Sequence, residues 1–503
     1  MTESRFGRFL ADEQATALLG NDLAAALRPG DVVALIGDLG AGKTTLARAV
    51  IRSLAGDPAL EVPSPTFTIV QTYDARVPVA HFDLYRLSSP QELEELGFDE
   101  AVAGGIVLVE WPDRAGERLP AGAIHVELAE QDDGRAAGMT ASDSVVDRLQ
   151  RSLHIREFLQ AAGQGRAWRE HLTGDASTRS YETLALAALP IRILMDAPRQ
   201  PDGPPIRDGK PYSQIAKLSE SVAPFVAVAS ALKNAGFAAP EIHAADLERG
   251  LLIIEHLGAT GILAADGTPV PERYIAAAEL LADLHAIEWP RTLPVAPGID
   301  HYLPDYDREA MLIEISLMLD WYLPAEDGRK LAEDERKSLL EAWNVVLDRL
   351  DSGEKSIVLR DFHSPNLIWR ADRAGNDRLG LIDFQDAVYG PSAYDVASLA
   401  MDARVTIPPD LEAAIVDAYA SARRQRGAFD RAAFEEAYAI MAAQRNAKIL
   451  GIFVRLDRRD GKPAYLRHLQ RIRDYFSRSL AHPALGPLRD ALDAAGLGGA
   501  LRP

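Results

Sequence analysis

A strand that runs without interruption into a glycine-rich phosphate loop leaves a chain few choices of fold. Val32–Ile36 (VVALI) has strand composition, and Gly37-Asp-Leu-Gly-Ala-Gly-Lys-Thr-Thr45 follows at once. The spacing is G-x-x-x-x-G-K-[ST], and residues 44–54 behind it have helical composition. Gly37, Gly40 and Gly42 let backbone N–H groups wrap phosphates, and the helix N-terminus favours their negative charge. Lys43 would reach the outer phosphates of ATP, the Thr44 hydroxyl would ligate Mg²⁺, and Thr45 shares the same turn. The motif predicts an α/β domain with a mostly parallel sheet flanked by helices. A chance glycine-rich turn is the alternative, and the strand before and helix after argue against it.

The surrounding residues extend this reading. Residues 12–27 place Ala15, Leu18, Leu19, Leu23 and Leu27 at helical spacing and stop at Pro29-Gly30. Pro63-Ser-Pro-Thr66-Phe67 stands where a loop would respond to the outer phosphate, with Thr66 a candidate contact or an ordinary turn residue. Two further strands end in acids, one at Asp83 and one at Glu110, the latter followed by Trp111-Pro112. An acid at the end of a parallel strand points into the crevice where nucleotides bind. Asp83 and Glu110 are therefore candidate Mg²⁺ ligands, and Glu110 is also a candidate catalytic residue positioning water; the alternative is that each caps its strand. Residues 90–96 (PQELEEL) form a short acidic helix, either solvated or facing a partner.

At this point the motifs GDLGAGKT, PSPTF, HFDLYRL, ELEELGFDE and VEWP resemble, in order, the TsaE family of P-loop ATPases. That family serves the bacterial machinery that makes threonylcarbamoyladenosine in tRNA. The resemblance spans residues 1–128. It implies weak ATPase activity alone, turnover coupled to the TsaD and TsaB proteins, and tRNA contact made indirectly through those partners. It maps Lys43, Thr44, Asp83 and Glu110 onto nucleotide and metal positions, and Trp111 onto a tryptophan near nucleotide or partner.

One such domain does not use up 503 residues, and two or three domains are expected. A formal net charge of −20 argues against broad binding of nucleic-acid backbones, DNA included. The chain has no cysteine, which excludes disulfides, thiolate metal sites and cysteine nucleophiles. The first twenty residues lack the basic start and apolar core of a secretory signal, and no apolar run reaches membrane-spanning length. A cytoplasmic protein is expected. Residues 1–133 are expected to form the ATPase domain. Residues 134–143, mixing Gly, Ala and charge without period, are expected as a linker. Residues 144–258 and 259–503 are then the two lobes of a second domain, led by a helix over residues 144–162.

The chemistry of that second domain lies in Val358–Asp386. VLRDFHSPNLIWR and LGLIDFQD are two strand-like runs, each ending in an acid, Asp361 and Asp383, with Asn366 five residues after the first. Phosphoryl transfer needs one carboxylate to orient the attacking hydroxyl, and an amide with a second carboxylate to hold Mg²⁺ on the phosphates. Asp361 is the candidate catalytic base; Asn366 and Asp383 are the candidate metal ligands. A polar hairpin with turn-starting acids is the bland alternative. Upstream, residues 172–181 (LTGDASTRSY) have the composition of a phosphate-covering loop or of a plain hairpin, with Ser177 and Arg179 the candidate ATP contacts. Residues 251–258 (LLIIEHLG) read as a strand entering a hinge, whose backbone at Glu255 to Leu257 would meet the adenine edge. His285 falls on an apolar helix face as a packed core histidine, and Asp395 is expected to anchor the catalytic loop by hydrogen bonds.

GDASTRSY, LMDAP, RDFHSPN, IDFQDAVYGPSAYDVASL and QRNAKILGIFVRL together resemble the aminoglycoside phosphotransferase family in its AmgK-like branch. These are kinases of the anomeric hydroxyl of N-acetylmuramate or N-acetylglucosamine in cell-wall recycling. The resemblance spans residues 164–476 and implies a protein-kinase-like, two-lobed α+β domain, with Asp361 as base and Asn366 and Asp383 on the metal. Two departures stand out. Leu359 replaces a common histidine, and Met195 stands near the usual strand lysine, leaving Lys210, Lys217 or Arg179 to supply its charge. The readings left open are a bifunctional ATPase and amino-sugar kinase, an ATPase with a regulatory or scaffolding pseudokinase, or a kinase for another alcohol such as an aminoglycoside or a choline-like molecule. Basic residues outnumber acidic ones over residues 445–478, which fits a solvated helical face, a site for a carboxylate-bearing sugar, or RNA.

Overall fold

The computed structural model describes residues 3–172, 179–201, 203–328 and 330–498. The chain divides into two compact units, residues 1–196 with 251–253, and residues 197–250 with 254–503.

The first unit opens with β1 (Glu3–Leu10), α1 (Glu13–Ala26), β2 (Val32–Ile36), α2 (Lys43–Ala55), β3 (Val70–Tyr73) and β4 (Val79–Asp83). The short helices α3 (Glu92–Glu95) and α4 (Phe98–Gly104) lead to β5 (Ile106–Glu110), β6 (Ile124–Gln131), β7 (Gly134–Ser142) and α5 (Asp143–Ala161). Seven strands form one sheet in the order β1-β7-β6-β2-β5-β4-β3. Its centre, β6-β2-β5-β4, is parallel, as the phosphate-loop motif requires. Alternation along β2 and β5 sends Val33, Leu35, Ile106 and Leu108 to one face against α1, α2 and α5. Val32, Val107 and Val109 go to the other face, against Phe82 and Phe98. Helix α1 starts where Asp12 accepts from Ala15 N (2.7 Å).

Residues 134–142 are not a linker. They form β7, paired antiparallel with β6 on one side and β1 on the other. Ala137, Met139 and Ala141 point inward at period two. Their small size hid the alternation, because only one of them is a large apolar residue. Helix α5 follows with no spacer.

The same unit continues through β8 (Trp168–Leu172), β9 (Ser180–Ala185) and β10 (Arg192–Asp196), an antiparallel meander. A buried polar cluster ties α1 to it. The Asp22 carboxylate accepts from Arg156 Nη2 (2.8 Å) on α5, and Asn21 exchanges bonds with the Arg169 backbone (2.8 and 3.0 Å) on β8. Arg169 reaches on to Glu182 of β9 (2.6 Å).

In the second unit, the hairpin β11 (Pro205–Arg207) and β12 (Lys210–Pro211) precedes α6 (Tyr212–Ile215), α7 (Ala223–Asn234) and β13 (Ile242–Asp246). Then come β14 (Leu251–Glu255), whose residues 251–253 are counted with the first unit, α8 (Pro271–His285), and the hairpin β15 (Thr292–Ala296) and β16 (Ile299–Tyr302). Helix α9 (Arg308–Leu317) passes into a π-helical turn, Met318–Tyr322, and then α10 (Leu323–Asp327) and α11 (Glu333–Asp348). Two hairpin-like pairs carry the candidate site: β17 (Lys355–Val358) with β20 (Val388–Pro391), and β18 (Leu367–Trp369) with β19 (Leu379–Leu381). Helices α12 (Ala393–Ala400), α13 (Pro409–Arg426), the 28-residue α14 (Arg431–Arg458), α15 (Leu469–Leu480) and α16 (Gly486–Ala494) complete the unit. His285 is buried and bonded through Nδ1 to Tyr419 (3.0 Å), the packed histidine expected.

Candidate active sites

The phosphate loop is built by backbone geometry. Gly37, Gly40 and Gly42 have φ of 148°, 85° and 103°, and a Cβ on Gly37 would lie 2.5 Å from Leu128 O. Side chains other than glycine are strained there. Helix α2 has no side-chain cap, so its first N–H groups are left to an anion, and Thr44 and Thr45 lie in that turn. Lys43 Nζ donates to Gly37 O (2.7 Å) and Asp38 O (2.9 Å) and sits 3.9 Å from the Trp111 ring centroid. Burial pulls the Lys43 ammonium below its ordinary range, against the opposing pull of Glu110, Asp83 and Asp38.

Strands β4 and β5 run parallel in a register that sets Asp83 beside Glu110. Glu110 accepts from Thr44 Oγ1 (3.0 Å) and lies 3.0 Å from His81 Nε2. Asp83 accepts from Thr66 Oγ1 (2.6 Å), Ser64 Oγ (3.2 Å) and Tyr85 N (3.1 Å). The structure thus gathers Lys43, Thr44, Asp83, Glu110 and Trp111, with Thr66 joined through Asp83. Trp111 has φ 59°, a left-handed strain held at the loop. Two neighbours escaped the sequence reading. His81 is on the same strand face as Asp83 at period two, a signal present in HFD. The Arg135 guanidinium lies 3.6 Å from where a Cβ on Gly42 would be, and only the pairing of β7 brings it there.

In the second unit the catalytic loop hangs from one carboxylate. Asp395, on α12, accepts from Leu359 N (2.6 Å) and Arg360 N (2.9 Å), the anchoring expected. Arg360 holds φ 68° while its guanidinium donates to Ala216 O (2.8 Å) and to Glu314. The Asn366 amide donates to Asp361 O (2.9 Å) and Asp383 Oδ2 (3.3 Å), so the loop closes on itself with the amide and second acid together. Asp383, at φ 60°, also accepts from Gln385 Nε2 (2.8 Å). Asn366 is therefore bonded to the Asp383 side chain and to the Asp361 backbone, and left-handed Arg360 and Asp383 flank the set.

Other expectations fare differently. The Glu255 N–H donates to Glu241 O (2.9 Å), so this N–H is taken up within the protein. Leu257 packs on the strand that leads to Asp383: a Cβ on Gly380 would come within 2.9 Å of its Cδ1. Arg179 immediately precedes β9, while Ser177 lies outside the described residues. Met195 is a buried strand residue, and Lys210 and Lys217 pair with Glu309 (3.8 Å) and Asp307 (3.0 Å). The basic run is not one solvated face, for Arg445 is buried and Lys448 Nζ lies 2.9 Å from the buried Glu314. Burial pushes the Glu314 carboxyl up, but Lys448 and Arg360 together bring it down to about 2. Burial likewise lowers the His363 imidazole, overcoming Asp402 and Asp361. Glu314 and Asp402 carry no motif of their own and were invisible in the sequence.

Both donor sets suit ATP with Mg²⁺. No group of three or more His, Asp or Glu side chains that could hold a metal occurs among the described residues. Mg²⁺ on a nucleotide needs only one or two carboxylates besides phosphate and water. Thr44 with Asp83 or Glu110, and Asn366 with Asp383, meet that need.

The first unit thus holds a P-loop nucleotide site, and the second a protein-kinase-type phosphotransfer site. The profile of the family described as threonylcarbamoyl adenosine biosynthesis protein TsaE matches residues 10–137, and that of the phosphotransferase enzyme family matches residues 210–434. The N-acetylmuramate/N-acetylglucosamine kinase of Caulobacter vibrioides is 36% identical over 351 residues, 67% of this chain and 94% of that protein. Its Neisseria meningitidis counterpart is 30% identical over 68% of this chain and 94% of that protein. The tRNA threonylcarbamoyladenosine biosynthesis protein TsaE of Rickettsia felis is 39% identical over 148 residues, 28% of this chain and 86% of that protein. The chain belongs to the TsaE family in its N-terminal part and to the N-acetylmuramate/N-acetylglucosamine kinase family in the rest: a TsaE ATPase domain fused to a sugar-kinase-like domain.

Proposed function

We propose that the protein is a bifunctional, cytoplasmic, ATP- and Mg²⁺-using enzyme. Its N-terminal part hydrolyses ATP in support of tRNA threonylcarbamoyladenosine formation, working with TsaD and TsaB, which make the tRNA contact. Its C-terminal part phosphorylates the anomeric hydroxyl of N-acetylmuramate or N-acetylglucosamine.

The observation that carries the kinase reading is the junction of Asn366 with Asp361 O and Asp383 Oδ2. It brings the amide and second acid together, which supports their role in holding a metal on the phosphates, next to the residue that would meet the acceptor. Mg²⁺ bound there would offset charge on the phosphates. Asp361 orients the sugar hydroxyl and takes its proton, while Asp395 fixes the loop that presents it. In the ATPase, Lys43 leaves its two carbonyl partners for the outer phosphates, and Glu110, held by Thr44 and His81, positions water.

An ADP-coupled assay over a panel of N-acetylated hexoses, with product analysis of the phosphorylated hydroxyl, tests the kinase reading. Met195 in place of a strand lysine favours a second reading, binding without transfer. Sugar binding with no ADP formed would establish that reading.

A further inference from the structure

Five arginines are buried among the described residues: Arg156, Arg169, Arg360, Arg423 and Arg445. Four meet a carboxylate. Arg156 and Arg169 share Asp22, Arg360 has Glu314, and Arg423 has Glu354 (2.6 Å). Arg445, only 4% exposed, has no such partner among the described residues, and its one hydrogen bond to them runs from Nη1 to Met401 O (3.1 Å). A desolvated guanidinium without a counter-ion is costly, and a bound anion would offset that cost.

The place of Arg445 says which anion. Met401 precedes Asp402, whose carboxylate accepts from Ser364 N (2.8 Å) and lies 3.8 Å from His363 Nδ1. His363 N in turn donates to Asp361 O (3.1 Å). Arg445 is therefore tied to the catalytic loop on the His363 side, and both it and Arg404 help to depress the His363 imidazole. Arg404 is held there by its own N–H on Asp402 (2.8 Å). In-line transfer puts the metal-bound phosphates and the acceptor on opposite sides of the phosphoryl group. Asn366 and Asp383 mark the phosphate side, which leaves the His363 side to the sugar.

We infer that Arg445 is the carboxylate-recognising residue of the sugar site, so that the kinase favours an N-acetylated amino sugar bearing a carboxylate over its neutral counterpart. The inference rests on the sugar-kinase reading above. A bidentate guanidinium–carboxylate pair is geometrically selective, which gives the site a means of telling the lactyl ether of N-acetylmuramate from the bare hydroxyl of N-acetylglucosamine.

Calorimetric titration of the full chain with N-acetylmuramate, its methyl ester and N-acetylglucosamine tests this, alongside ADP release with each. The wild type should bind the acid about 10- to 100-fold more tightly than the ester, as a charge-assisted hydrogen bond commands. In Arg445→Gln the affinities for acid and ester should converge. Equal affinities in the wild type, or equal weakening of acid and ester in the variant, would overturn the inference. Should the variant not fold, the ester comparison on the wild type decides alone. Tight acid binding without ADP would sink the kinase reading while sustaining the subsite, and no binding of any of the three sugars would overturn both.

Discussion

Asp22 Oδ1 lies 3.0 Å from Arg169 Nη1, with both side chains withdrawn from solvent. The two residues are on α1, which packs on the phosphate-loop helix, and on β8, the first strand beyond α5. Arg156 shares the same carboxylate, so one acid holds two buried cations. Breaking such a pair strands charge in a low-dielectric interior, at a cost of about 3–5 kcal/mol. Asp22→Asn should lower the first urea-unfolding transition of the full chain by that order. A loss under about 1 kcal/mol, the size of a solvated pair, would mean that water already reaches the cluster.

The two nucleotide sites share no residue. Asp361→Asn should abolish sugar phosphorylation and leave ATP hydrolysis by the N-terminal part in place, while Lys43→Ala should do the reverse. Parallel assays of ADP release with and without sugar read both. Equal loss of the two activities in either variant would contradict the assignment.

Asp395 acts on the reaction through the backbone. Without it, two buried N–H groups at Leu359 and Arg360 lose their acceptor, each costing about 1–3 kcal/mol. Arg360 is also released from a left-handed conformation that is strained by about 1–3 kcal/mol. Asp395→Ala should cut kcat for the sugar about 100-fold, or near 3 kcal/mol in the barrier, with KM for ATP little changed. A variant with normal kcat but lowered stability would show that the anchor serves folding alone.

Glu314 gives a pH signature. Its carboxyl is brought to about 2 from an ordinary 4.5, so the folded state holds it ionised more strongly than the unfolded state does. That stabilisation is complete above pH 4.5 and is lost as pH falls toward about 2. Thermal unfolding of the wild type should weaken steeply across this window. Glu314→Gln, which leaves Arg360 and Lys448 as uncompensated buried cations, should start lower and fall less. Parallel profiles for the two proteins would show that Glu314 does not carry the effect.

How much was legible follows from how local each feature is. The phosphate loop and the Asp361–Asn366–Asp383 set are short, directional motifs, and their residues meet as their spacing demands. Asp395 was readable because it lies in the first turn of a helix soon after Asp383. The unread features depend on distant pairing. Asp22 and Arg156 look like ordinary helix-surface charges until α1 and α5 are packed together. Lys448 and Arg445 stand in a run whose count of cations suggests a wet face, although three-residue spacing on one helix turns both inward. Strand β7 was missed because Gly and Ala carry too little hydrophobic contrast for a period of two to show.

That strand has a practical consequence. The TsaE family profile ends at residue 137, inside β7, and β7 lies between β1 and β6. A fragment stopped at residue 133 would leave β1 without a neighbour and bare the edge of β6, an invitation to aggregate. The boundary between the two ancestries in the sequence is therefore not a place where the polypeptide can be cut. Limited proteolysis should spare residues 134–142, and split halves intended to reassemble must be divided elsewhere.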